Sequence, residues 1–84
     1  MHRIYMSFFL RGGFWICRFL EQDLKTSIGR GRTFGSTDKV RELVDRTRTP
    51  LDLAGHQALE HALNQGRGGL YLNLTEAQYR KLRS

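Results

Sequence analysis

The residues of this chain best suited to chemistry are arginines and aromatic rings interleaved near its start. They are Tyr5, Phe9, Arg11, Phe14 and Arg18, followed by Arg30 and Arg32 on a glycine-rich stretch. A guanidinium is a planar fork of donors that matches phosphate oxygens, and an aromatic ring offers a face on which a base can stack. Together these types suit contact with DNA or RNA. The same two types dominate the hot spots of protein–protein interfaces, so a protein partner or a second copy of the chain uses the same vocabulary. The bulk charge agrees with an acidic partner: 14 Lys+Arg against 8 Asp+Glu give +6 over 84 residues. A charge of that size also keeps small domains apart in solution.

Other reactive types are poorly arranged. Cys17 is the one cysteine, which excludes an internal disulfide and gives no sign of secretion. His56 and His61 lie five apart, a spacing that does not share one helix face; His56 and Glu60 are four apart, which reads as a surface pair. No third ligand accompanies them, so neither a metal nor another cofactor is expected. "GRGRTFG", from Gly29 to Gly35, has neither phosphate-loop nor dinucleotide-loop spacing. No nucleophile–base pair or opposed carboxylates stand out, and the chain does not read as an enzyme.

The apolar start, "FFLRGGFWICRFL", is no membrane segment. Arg11 and Arg18 interrupt it, Gly12-Gly13 splits it, and no small-residue cleavage site follows. The helices expected from Ser36 and from Thr49 both lack a basic face opposite a bulky apolar one. The expectation is a complete cytoplasmic chain with no membrane contact.

The element that positions the arginines and rings is a hairpin. Gly12 and Gly13 tolerate the positive φ of a two-residue turn. Residues whose numbers sum to twenty-five then face one another: Leu10 with Trp15, Phe8 with Cys17, Met6 with Phe19, Ile4 with Glu21. That face is almost wholly apolar and must be core. The other face collects Tyr5, Ser7, Phe9, Arg11, Phe14, Ile16, Arg18 and Leu20. Either the chain's own helices cover it, which is the expected outcome because two or three helices are available, or it stays open as a contact surface.

The rest supplies the cover. Glu21 to Ile28 reads as a strand end and connection, and Arg32 to Phe34 as a short strand. Ser36 caps a helix carrying Val40, Leu43 and Val44, with mixed charges on its outer side. Thr49 as N-cap and Pro50 as first residue open a second helix, which Gly66 ends. Leu70 to Leu74 alternates as a strand, and Thr75 with Gln78 forms a capping box for a last helix. The pattern predicts a small single α+β domain over residues 1–84. In it an N-terminal β-hairpin and a C-terminal strand join a mostly antiparallel three- or four-stranded sheet, packed by two or three helices.

Between Phe14 and Arg46, two strands followed by "RTFGSTDKVRELVDR" resemble the arm-binding domains of tyrosine recombinases. The resemblance covers under half the chain. It implies a three-stranded sheet followed by a helix capped at Ser36, with the sheet entering the DNA major groove. The helix–strand–helix tail lies outside it. The reading carried forward is a small basic binding module that contacts nucleic acid through arginines and an aromatic sheet face. Its alternative is a protein-interaction module docking through that face or a strand edge.

Overall fold

The computed structural model describes residues 1–83. Seven elements follow one another: β1 (His2–Arg11), β2 (Phe14–Leu20), β3 (Arg32–Phe34), α1 (Thr37–Arg46), α2 (Leu53–Gln65), β4 (Arg67–Leu74) and α3 (Glu76–Arg83). The four strands form one antiparallel sheet in the order β3-β2-β1-β4, which gives the α+β architecture expected. Within Phe14–Arg46, the span the resemblance covers, the structure has two strands, β2 and β3, followed by α1 capped at Ser36; the three strands that the resemblance implies there are not found, because residues 21–31 form a loop. β4 then adds itself to the outer side of β1.

The hairpin forms as its sequence dictates. Gly12 and Gly13 have φ of 59° and 83°, and Leu10↔Trp15, Phe8↔Cys17 and Met6↔Phe19 are direct partners. The ladder stops at Tyr5↔Leu20, so Glu21 does not face Ile4. Instead the Glu21 N–H donates to Thr26 O at 2.8 Å, closing a loop that returns Ser27 beside Leu20 and buries Ile28.

One sheet face is the core. Ile4, Met6, Phe8, Trp15, Cys17, Phe19, Leu72 and Leu74 meet Val40 and Val44 of α1 and Leu59 and Leu63 of α2, none more than 7% exposed. Trp15 is buried with its polar atom satisfied: Nε1 donates to Thr37 Oγ1 at 3.2 Å. Leu10 departs from the expected core, at 48% exposed, because β4 begins opposite Phe9 and leaves the hairpin tip without a flanking strand.

Two local expectations are corrected. The second helix starts at Leu53 rather than Pro50: the Asp52 carboxylate accepts from Gly55 N at 2.7 Å and takes the N-cap. Thr49 is used elsewhere, its Oγ1 accepting from Asn73 N at 2.8 Å along the outer edge of β4. β4 also starts earlier than Leu70, because Gly68 and Gly69 are strand residues opposite Phe8 and Ser7. Their lack of a side chain marks close approach rather than a loop. A Cβ at Gly68 would overlap Ala62 of α2, and one at Gly69 would overlap the Tyr5 phenol.

The expected cover does not occur. The buried side chains of α1 and α2, and the parts of α3 that reach the core, pack with the even-numbered residues of β1 and β4 and the odd-numbered residues of β2. All three helices therefore lie on one side of the sheet. The other side is bare.

Candidate functional site

The register sets out the bare face in rows across the strands, about 7 Å apart along them. At the hairpin end, Arg11 faces Phe14, which is 54% exposed. The next row runs Thr33, Ile16, Phe9, Arg67 across all four strands. Below it stand Arg18, Ser7 and Gly69, and then Leu20, Tyr5 and Tyr71. Arg3 and Asn73 close the far end.

Contacts within the face hold two of the rings in place. Tyr5 meets Tyr71 edge to face with centroids 5.0 Å apart, and the Arg3 guanidinium lies 4.7 Å from the Tyr71 centroid. Gly69 makes room for the Tyr5 phenol to lie across β4. Arg18 Nη2 stands 3.5 Å from Ser27 Oγ, at the outer limit of a hydrogen bond.

Charge is divided between the two sides of the molecule. Of the 8 acidic residues none lies in a strand: Glu21 and Asp23 are in the loop after β2, Asp52 precedes α2, and the rest are on helices. On the helical side several charges are paired. Arg41 bridges Asp38 and Glu60 at 2.7 Å each, Lys39 and Arg46 approach Glu42, and Arg80 donates to Glu76. These contacts hold Glu60 below the ordinary carboxylate range, chiefly through the Arg41 hydrogen bond. Glu76 is lowered likewise, mainly by His2 and then Arg80. Arg3, Arg11, Arg18 and Arg67 have no carboxylate within ion-pair distance among the described residues.

Five of the seven residues singled out from sequence therefore share one surface: Tyr5, Phe9, Arg11, Phe14 and Arg18. Arg32 does not join them. It is the partner of Cys17, a core-side position, and it lines a cleft of about 210 Å³ between the sheet, α1 and α3 together with Leu43, Lys81 and Leu82. Arg30 lies in the loop before β3, exposed and outside the strands. Three residues that complete the face were passed over: Arg3, Arg67 and Tyr71. Their signal was parity. Arg3 alternates with Ile4, and Tyr71 with Leu70 and Leu72, so each must point away from the core.

Cys17, the one thiol, lies on the core side of the sheet. Burial pushes the Cys17 thiol up to about 11, so its thiolate is scarce at neutral pH. No group of His, Cys, Asp and Glu among the described residues converges as a metal site, and no described helix is long and apolar enough to cross a membrane. Comparison of the chain with protein-family models, curated proteins and solved structures finds no match.

Proposed function

We propose that this protein binds nucleic acid through the bare face of its sheet. One observation carries the reading. Four arginines and four aromatic rings share that face, and all the acidic residues are elsewhere. A polyanion gains from each guanidinium by releasing counterions, and no carboxylate repels it. The rings offer contacts to bases that a merely electrostatic surface lacks.

The protein-interaction alternative fits the same face less well. A second copy docked face to face would set one group of unpaired guanidiniums against another. Docking at the β4 edge is obstructed at one end, where Thr49 already occupies the Asn73 N–H.

Fluorescence anisotropy with labelled single- and double-stranded DNA and RNA tests the reading. Binding is expected at low salt, falling steeply as salt rises, and weakened in the Phe9→Ala, Phe14→Ala double variant. Absence of binding to every one of these at low salt refutes it.

A further inference from the structure

Resting on the nucleic-acid reading above, we infer that the ligand is a single strand, RNA or DNA, laid on the sheet with its bases unstacked onto the rings. Two features of the face carry this, and they are independent of one another.

The first is width. In the row Thr33–Ile16–Phe9–Arg67 all four strands stand side by side. At strand spacings of 4.7–4.9 Å the outer two axes are about 14 Å apart before side chains are counted. The major groove of duplex DNA, about 12 Å wide, takes a helix or a two-stranded ribbon. A groove of that width does not admit the face, and β4 is the strand that makes it too broad. A single strand has no opposite wall and meets no such limit.

The second is the chemistry of the surface. A ring recognises a base by its flat face, and in a duplex that face is covered by the neighbouring base pairs. Rings stand in three of the rows, at Tyr5 with Tyr71, at Phe9, and at Phe14. Arginines stand at or between them: Arg18 in the intervening row, Arg67 beside Phe9, Arg11 beside Phe14. Ring and cation thus recur along the strands at intervals of roughly 7 Å. That alternation suits a chain whose bases and phosphates both point toward the protein. Phe14, more than half exposed, and Tyr71, at 37%, hold no core contact that would explain a ring at those positions.

The experiment compares one sequence as single-stranded RNA, single-stranded DNA and blunt duplex, by anisotropy at fixed salt, with wild type and the Phe9→Leu, Phe14→Leu double variant. Leucine keeps apolar bulk and removes the stacking face, and a circular dichroism melt matching wild type shows the fold intact. The expected result is at least about ten-fold tighter binding to one or both single strands than to duplex. The variant should lose about ten-fold on the single strand and little on the duplex. Equal or tighter binding to duplex overturns the inference while leaving the nucleic-acid reading standing. So does a folded variant that binds single strands as wild type does. Failure to bind any of the three overturns that reading itself.

Discussion

Replacing Arg3, Arg11, Arg18 and Arg67 together by glutamine removes the unpaired cations of the bare face and leaves the helical ion pairs untouched. The size of the effect follows from counterion release. Each phosphate neutralised on a single strand contributes about 0.7 to the slope of log K against log salt, so four contribute about 2.8. Raising salt from about 50 to 200 mM then costs the wild type about fifty-fold in affinity through these residues alone, and the variant escapes that loss. The assay is a set of anisotropy titrations across that range, with the slope as readout. The folding cost is small: among the four, Arg3 makes the one ring contact, over Tyr71, worth roughly 0.5–1 kcal/mol at an exposed site. A control with Lys39, Arg41 and Arg80 replaced by glutamine removes paired cations on the helical side, and its slope should match wild type. The reasoning is refuted if the sheet variant keeps the wild-type slope, or if the helical control loses as much.

Two further predictions concern the fold. Gly68→Ala should destabilise by about 1–3 kcal/mol, since its methyl would overlap Ala62 on α2, and Ala62→Gly in the same chain should recover part of the lost melting temperature. Cys17 should resist alkylation at neutral pH in the folded protein and react once it is denatured. Because burial raises its folded pKa from 9.0 to about 11, the stability it contributes is complete below pH 9. That contribution is lost as pH climbs toward 11, so Cys17→Ala should show a flatter alkaline decline in denaturant midpoint.

The hairpin was legible because two signals agreed. Gly12-Gly13 set the turn, and the apolar alternation on both sides admitted one register, since a slip of one residue would have put Phe8 and Trp15 in water. The Thr75–Gln78 capping box was equally local: Thr75 N donates to Gln78 Oε1 at 2.8 Å and Gln78 N to Thr75 Oγ1 at 3.2 Å. What sequence misplaced depended on tertiary contact. Pro50 looked like a helix start until Asp52 took the cap and Thr49 turned to Asn73. Gly68 and Gly69 fall outside the strand expected at Leu70–Leu74 because their role, admitting Ala62 and Tyr5, is visible only once α2 and β1 are in place. Arg32 was grouped with Arg18 by composition, and its pairing with Cys17 put it on the other side of the sheet. The choice between a covered and an open face turned on which side the helices took. No periodicity within a single element encodes that.

An open sheet face must be kept from sticking to itself, and α1 shows how this chain treats a surface that need only be wet. Its outer side mixes Asp38, Lys39, Arg41, Glu42, Asp45 and Arg46, and all of these but Asp45 form ion pairs within it or onto Glu60. Mixed signs give solubility without a strong field. The sheet face departs from that pattern twice: its charges are of one sign, and rings stand where threonine or glutamate would serve solvation better. Each departure costs something on its own, since like charges repel and exposed rings invite aggregation. The proposed partner, a polyanion with exposed base faces, would meet both. The core lies wholly on the other face, so the parity of a β1 or β2 residue sorts its substitutions. Changes at Ile4, Met6 or Phe8 should lower stability in a denaturant melt, and changes at Arg3, Phe9 or Arg11 should leave it near wild type while weakening the proposed binding.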